Sequence, residues 1–282
     1  MKNLLTIVCL LFVTSTLTAQ KFQGKAIYKT HRKMDFKLGG QGGPTISDEQ
    51  KAQMKARLMK QFQKTFVLTF DKTSSIYKQD KELKAPSVGG KGGMNIMVQE
   101  VGGGGGSDVL YKDIKKNRFI NKTEIMGKRF LIKDKLPTYD WKLTGETKNI
   151  GMYTCYKATY TRQEDRTHMS VEDGKVSEKK EKVDVVTTAW YTPTIAVSNG
   201  PRNFSGLPGL ILEVKEGNLT IVCSEIIMNP EERIKIEKPK KGKVVSQEEY
   251  TKIMDKKSKE MMEQFKSRRH SKGRNVEIRI GG

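Results

Sequence analysis

The residue types that most often do chemistry are sparse and scattered in this sequence. The three histidines, His31, His168 and His270, lie far apart. The sequence has no H-E-x-x-H, C-x-x-C or G-x-S-x-G pattern, so it lacks the motifs of zinc peptidases, dithiol redox proteins and serine hydrolases. Spacing also singles out no carboxylate pair for glycoside hydrolysis. We therefore expect a non-enzyme with no catalytic residue, metal site or cofactor.

The cysteines allow two alternatives. Cys155 and Cys223 both lie in apolar, strand-like runs. If they were paired they would close a loop of about 68 residues, worth up to ~4 kcal/mol in the loop-entropy model. The other alternative is two buried free thiols, because unpaired cysteine is among the most buried residue types. The sequence leaves both open.

Methionine is frequent, with 13 residues in the chain. Thioethers can bind Cu(I) in an envelope protein. However, only Met94–Met97 and Met261–Met262 are close neighbours, and no cluster of histidine and methionine forms. Filling of irregular core space is the favoured interpretation. Copper handling is a weaker hypothesis, which requires methionine or cysteine side chains to meet in space.

The first 19 residues predict a secretory signal peptide. Lys2 precedes an apolar run from Leu4 to Val13, and small or polar residues follow up to Ala19. The run is too short to span a bilayer, so we expect cleavage after Ala19 rather than a permanent anchor. The expected location is the periplasm or the outer membrane.

The chain is strongly basic. Lys and Arg number 53 against 32 Asp and Glu, a formal net charge of +21. For an exported protein the anionic partners within reach are membrane surfaces, acidic glycans and phosphorylated ligands. We expect no nucleic-acid partner, because no RNA-binding aromatic signature or zinc-finger spacing occurs. A lysine-rich surface without a specific partner is the alternative.

Short apolar runs alternate with turn residues through most of the chain. This pattern predicts an α+β fold with a curved, mainly antiparallel, half-barrel-like sheet, a packing helix and a C-terminal basic helix. Ser47 with Gln50, and Ser246 with Glu249, form capping boxes that predict where the two helices begin. We predict strands at residues 22–36, 65–71, 74–78, 109–113, 118–125, 128–133, 141–143, 152–161, 187–191, 210–214 and 219–227.

Changes in composition predict the domain organisation. Residues 20–228 form a β-rich domain, in which 85–107 is a glycine-rich flexible insertion. The charged segment 162–183 interrupts the strand pattern as a long hairpin tip. Residues 229–282 form a basic linker and an amphipathic helical tail, which could bind an anionic membrane surface.

One central region carries a dense and specific motif. It contains Trp190-Tyr191-Thr192-Pro193, and Trp141 and the Y-x-C-x-K-A-T run at 153–159 precede it. Within the motif we single out Asn199, Gly200, Pro201, Gly206, Leu207, Pro208, Gly209, Leu210 and Ile211.

Over residues 22–228 the chain resembles the GLPGLI family of Bacteroidota envelope proteins. It departs from that pattern at Ala196, where proline is common, and in its glycine-rich insertion and basic tail. The resemblance implies no reaction. It does imply a setting beside TonB-dependent outer-membrane transport systems.

The motif suggests where a ligand or partner would bind. Phe204 and Leu207 are apolar residues on a turn-rich loop, so they either plug the curved sheet or line a groove. The leading hypothesis is a non-catalytic protein that holds an apolar or amphipathic ligand, or a partner such as an outer-membrane transporter. Its candidate contact residues are Trp141, Trp190, Phe204, Leu207 and Leu210.

Two further hypotheses make different demands on the structure. A scaffold that docks on an outer-membrane protein, with the loop as a plug, needs no cavity. An unrecognised hydrolase requires polar residues, for which Glu213, Asn199 and Arg202 are the candidates, to converge in a cavity.

Overall fold

A computed structural model describes residues 22–33, 47–50, 52–53, 63–80, 108–125, 127–172, 175–232 and 234–269. The predicted signal peptide and the glycine-rich insertion lie outside these residues. The strands within these ranges are β1 (Gln23–Arg32), β2 (Lys64–Asp71), β3 (Ser74–Gln79), β4 (Val109–Asp113), β5 (Arg118–Ile125), β6 (Lys128–Lys135), β7 (Lys142–Ile150), β8 (Tyr153–Glu172), β9 (Lys175–Thr192), β10 (Leu210–Glu216), β11 (Leu219–Met228) and β12 (Lys243–Val245).

These strands form a single open, curved sheet. Their order is β12-β6-β5-β4-β3-β2-β1-β11-β10-β9-β8-β7. Neighbouring strands are antiparallel, except that β12 runs parallel to β6. The predicted fold class, an α+β protein with a curved and mainly antiparallel sheet, is confirmed. The sequence analysis missed β12, because a three-residue strand inside a basic, proline-punctuated segment has too few residues to show alternation.

β1 lies near the middle of the strand order, and buried small or aromatic residues alternate with less buried ones along it. Gly24, Ala26 and Tyr28 are buried on one face. Gly24 leaves room for a ring of β2, because a Cβ there would lie 2.3 Å from Cζ of Phe70. Such close approach requires glycine, so β1 and β2 share one tightly packed layer.

The main core lies on one face of the sheet. It collects buried residues from β1–β6, β8 and β10–β12, including Tyr28, Leu68, Phe70, Leu212 and Ile221. A second, smaller cluster is formed by alternate residues of β8–β10, among them Ala158, Ala189, Ile211 and Val214. Because successive strand residues point to opposite faces, this second cluster lies on the other side of the sheet.

Both predicted capping boxes are present. Ser47 and Gln50 exchange two hydrogen bonds of 3.2 Å. Most of the helix that they were predicted to begin lies outside the described residues. Ser246 and Glu249 make the equivalent pair, at 2.7 and 3.1 Å, before helix α1 (Gln247–Arg269).

The C-terminal segment contributes to the main core. Tyr250 of α1 is buried with its ring edge-on to Phe130, at a centroid distance of 5.9 Å, and Val245 of β12 is also buried in this core. Ile253 and Met254 pack against the same cluster, as their helical spacing predicts. The domain boundary at residue 228 stays a prediction, but the segment beyond it is anchored on the sheet.

Strands β8 and β9 extend far beyond the bounds that the sequence indicated. The segment 162–183 was expected to interrupt the sheet. Instead, the two strands stay paired out to Glu172 and Lys175. Opposite charges that face each other, as at Asp165 and Lys182, favour strand pairing even where apolar alternation is lost. The predicted hairpin is therefore present, with much longer strands.

Candidate functional site

The motif region is a folded loop, residues 193–209, between β9 and β10. Its backbone is hydrogen-bonded back to itself and to the next strand. Leu210 N donates to the oxygen of Ile195 at 3.0 Å, and Ile211 N donates to the oxygen of Asn199 at 2.9 Å. These hydrogen bonds hold the loop backbone against the start of β10.

Steric constraints explain why the motif has glycine at three of its positions. A Cβ at Gly209 would lie 2.2 Å from the backbone oxygen of Thr192, so any side chain there would clash with β9. Gly206 has a φ of 93°, which only glycine adopts without strain. A Cβ at Gly200 would lie 2.8 Å from that of Ile211. Three motif glycines therefore permit close packing or an unusual turn.

Phe204 and Leu207 form a plug. They are 8% and 1% exposed, and they pack with Ala158, Ala189 and Ile211 in the second cluster. Each side chain thus packs on the outer face of the sheet. Of the two alternatives that the sequence left open for this loop, this burial favours the plug.

An aromatic group surrounds the plug. Trp141 donates a hydrogen bond from Nε1 to the oxygen of Ser205 at 2.8 Å. Ring centroids of Tyr139 lie 5.4 Å from those of both Trp141 and Phe204, and 5.3 Å from that of Tyr160. Burial raises the pKa of Tyr139 to about 12. The half-buried Trp141 is therefore a clamp on the loop backbone.

The remaining apolar residues of the loop lie in the main core. Leu210 is fully buried there with Ile195 and Val197. The loop thus supplies side chains to both faces of the sheet. Tyr28 adds a link across the sheet, because its hydroxyl donates to the oxygen of Ile211 at 2.7 Å.

Lys112 of β4 is the functional residue that sequence reasoning missed. It is fully buried, and its Nζ donates to the oxygen of Gly200 at 2.7 Å and to that of Phe204 at 3.5 Å. Burial lowers the pKa of Lys112 to about 7. The sequence held one indication of this burial. Lys112 lies two residues after the buried Leu110 in β4, so both side chains project from the same face of the strand.

Several polar atoms around the loop are buried without a hydrogen-bond partner in the described part of the chain. They include Nδ2 of Asn199, Oγ1 of Thr192 and Oγ of Ser75. Ser75 lies directly opposite Lys112 in the sheet register. Burying polar groups without hydrogen-bond partners costs free energy. The packing of the loop must therefore offset this cost.

Trp190 has a different environment from the plug. It is half-buried and packs against the main core. Nζ of Lys148 lies 4.4 Å from the centroid of its ring and 2.7 Å from Oε2 of Glu213. Trp190 therefore takes part in a cation–π contact supported by an ion pair. The structure does not bring it together with Trp141, Phe204 and Leu207, which lie on the opposite face.

The residues suggested for a hydrolase do not share one centre. Glu213 is paired with Lys148. Oδ1 of Asn199 accepts from the backbone N of Gly200 at 2.9 Å. Arg202 acts electrostatically on Tyr139 and Glu216 instead. The contacts described for these three side chains therefore involve different partners.

The two cysteines are free and buried. They lie on β8 and β11 in the same core cluster, and the disulfide alternative is not formed. Burial raises the pKa of Cys155 to about 11 and that of Cys223 to about 12. Both groups are therefore protonated thiols, which are poor nucleophiles and poor metal ligands.

Neither a metal site nor a membrane-spanning helix is found in the part of the chain that the structure describes. No group of three or more His, Cys, Asp or Glu side chains there could hold a metal ion. No helix there is both long and apolar enough to cross a bilayer. Met94, Met97, Met261 and Met262, named for the copper hypothesis, have side chains outside this description.

Comparison with known proteins gives a family match over the motif region. Residues 141–213 match the family described as a protein of unknown function (Porph_ging). This stretch is about a quarter of the chain and contains all five candidate contact residues. The resemblance to an uncharacterised family is thereby supported. Its specific assignment to GLPGLI proteins stays a prediction.

No curated protein matches this chain. Two solved structures of PNGF-II, in space groups C2 and P21, are similar to it with TM-scores of 0.46 and 0.47 and 12% identity. The similarity covers 82% of this chain but only 32% and 33% of PNGF-II. The chain therefore spans about a third of the length of those structures.

Proposed function

We propose that this protein is an exported, non-catalytic scaffold of the cell envelope that docks on an outer-membrane protein. The observation that carries this choice is the burial of Phe204, Leu207 and Leu210, which are 8%, 1% and 0% exposed. A ligand groove needs at least some of these side chains to be accessible. The loop serves instead to hold the two faces of the sheet together.

The ribbon of β8 and β9 is the best candidate for the docking element. β7 pairs with β8 only as far as Thr159, and β10 pairs with β9 only from Thr187. Beyond these residues the two strands pair with each other alone, over residues 160–172 and 175–186. An isolated two-stranded ribbon is marginally stable in water, so a partner surface would stabilise it.

Side-chain contacts at the base of the ribbon join it to β10. Nη1 of Arg162 lies 2.5 Å from Oε2 of Glu216, and Oγ1 of Thr187 donates to the same oxygen at 2.6 Å. Burial favours the neutral acid, but these hydrogen bonds and the charge of Arg162 hold the pKa of Glu216 below its usual value. Such an anchor suits an arm that presents a surface to a partner.

The free edge strand β7 is a less suitable docking element. Leu143 is 62% exposed, but Lys142 and Lys148 flank it and the strand is bulged between Leu143 and Thr147. Lysines and bulges are devices that prevent edge-to-edge pairing. We therefore assign docking to the ribbon, with an outer-membrane transport protein as the expected partner.

A shortened ribbon tests this proposal. Replacing residues 166–181 by Asn-Gly joins the paired positions Asp165 and Lys182 with a two-residue turn. Leu143→Ser is the control, because it alters an exposed residue on the edge strand β7 and leaves the ribbon intact. We expect cross-linking in native envelopes to capture one outer-membrane protein with the full chain and the control, and not with the shortened ribbon.

Native mass spectrometry completes the test. The scaffold hypothesis predicts that protein purified from its own envelope has the mass of the chain alone. Capture that survives ribbon shortening, or a stoichiometric apolar passenger bound to the protein, would contradict the proposal. A passenger would restore the ligand-binding hypothesis.

A further inference from the structure

A basic cleft lies on the sheet at some distance from the motif loop. It has a volume of about 580 Å³, and the residues that line it are Lys116, Asn117, Arg118, Phe119, Ile120, Lys133, Asp134 and Lys135. These belong to the β4–β5 turn and to the facing ends of β5 and β6. The volume lies within the range of small-molecule sites, which is about 300–1,000 Å³.

The sheet register concentrates positive charge in this cleft. Arg118 lies directly opposite Lys135, and Ile120 lies opposite Lys133. All four side chains therefore project from the same face. Like charges directly opposite each other destabilise a sheet unless an anion offsets them. Three cationic groups thus converge around the half-buried side chain of Ile120.

Two acidic side chains lie near the cleft, and Asp113 partly offsets the charge of Arg118. Both oxygens of Asp134 accept hydrogen bonds from backbone N–H groups, from Lys135 at 2.7 Å and from Gln247 at 3.0 Å. Asp113 accepts from the backbone N of Lys116 at 3.1 Å and lies 3.4 Å from Nε of Arg118. These carboxylates hold the backbone turn and the start of α1.

The lysines of the cleft take part in no ion pair within the described part of the chain. None of the ion pairs found among the described residues includes Lys116, Lys133 or Lys135. The cleft thus combines unpaired ammonium groups with a planar guanidinium, a combination that suits phosphate oxygens.

We propose that this cleft binds a phosphate-bearing ligand, whose anionic group is held by Arg118, Lys133 and Lys135. Ile120 provides an apolar wall beside the phosphate. The chemistry is the same for the headgroup of an anionic lipid and for a free phosphorylated compound. The proposal is independent of the scaffold role, since it involves neither the motif loop nor the ribbon.

The test compares two variants with equal loss of charge. Lys133→Gln with Lys135→Gln removes two cations from the cleft. Lys128→Gln with Lys142→Gln removes two exposed cations from β6 and β7 outside it. Binding of inorganic pyrophosphate is measured by calorimetry. Binding to vesicles of phosphatidylglycerol, against phosphatidylcholine, is measured by sedimentation. Thermal unfolding verifies that both variants are folded.

We expect the cleft variant to bind about tenfold or more weakly, since each lost contact is a charge-assisted hydrogen bond. The control variant should change by less than about twofold, because Lys128 and Lys142 lie outside the cleft. Loss confined to pyrophosphate identifies a free phosphorylated ligand, and loss confined to vesicles identifies a lipid headgroup. Equal weakening in both variants, or no binding of either probe by the native protein, would overturn the proposal.

Discussion

The motif loop and the β8–β9 ribbon are both connections between strands of one sheet, yet they have opposite designs. The loop at 193–209 buries Phe204 and Leu207 and is tied to the fully buried Lys112. The ribbon extends past its neighbouring strands, and Val186 near its base is 50% exposed. The region with the distinctive motif is therefore the one built for stability. The region with an unremarkable charged sequence is the one that we propose as the docking element.

The largest expected effect on the motif loop comes from adding a side chain at Gly209. Gly209→Ala places a Cβ 2.2 Å from the backbone oxygen of Thr192, so the loop must move away from β9. We expect the free energy of unfolding to fall by about 3 kcal/mol or more, measured by urea denaturation. Gly217→Ala is the control, since it has open space but a φ of 53° and should cost about 1 kcal/mol. Equal losses in the two variants would contradict the steric account.

Truncating the plug should come next in size. Leu207→Ala removes a side chain that is 1% exposed, and we expect a loss of about 3 kcal/mol. Val186→Ala on the ribbon should change stability by less than about 0.5 kcal/mol. Thermal unfolding of both variants measures the difference. A Leu207→Ala variant as stable as the native protein would mean that Leu207 is not a plug.

The buried Lys112 makes stability depend on pH. Its pKa is about 7 in the folded protein, below the ordinary value of 10.5. Between these values the unfolded chain binds a proton that the folded chain does not, so stability rises with pH. The slope is about 1.4 kcal/mol per pH unit, and the effect is constant below pH 7 where both states are protonated. Urea denaturation at pH 7 and 9 should show a gain of about 2–3 kcal/mol.

The Lys112→Met variant provides the control for this pH dependence. It has no ionisable group, so its stability should change much less between pH 7 and 9. A slope that persists in the variant would assign the titration to another group. The comparison therefore isolates the loop-holding lysine from the many exposed lysines of the surface.

The anchor of the ribbon should give the smallest effect. Arg162→Gln removes the partially exposed ion pair with Glu216, and we expect a loss of about 1 kcal/mol. Because the pKa of Glu216 is held below its usual value, the stabilisation is present above pH 4.5 and is lost as pH falls. Denaturation at pH 7 and 3.5 measures both points. A loss as large as that from Leu207→Ala would show that the ribbon is part of the core.

Much of the fold could be predicted because strands and caps are local signals. Alternation located β4 and β5 at their observed bounds, and the pairs Ser47–Gln50 and Ser246–Glu249 form the capping boxes that their spacing indicated. The ends of β8 and β9 could not be placed. Their outer halves are rich in charged and polar residues, which leave no apolar pattern that marks where either strand ends.

The sequence singled out the motif loop as the candidate site, but it did not decide how the apolar side chains of the loop are used. Turn residues and glycines marked the loop, and the strand predicted at residues 210–214 placed Leu210 in the sheet. Whether Phe204 and Leu207 line a groove or fill it depends on Ala158, Ala189 and Ile211, which reach them from other strands. Lys112 likewise became a buried anchor only because the loop returns over β4.

The sequence by itself determined the strand-rich class, the turns, the capping boxes and the excess of positive charge. These follow from residue type and from spacing along the chain. Tertiary structure alone decided the order of the strands, the plug, the free thiols and the basic cleft. Each of these depends on contacts between residues far apart in the chain, such as Lys112 with Gly200, and local periodicity carries no information about which distant surfaces meet.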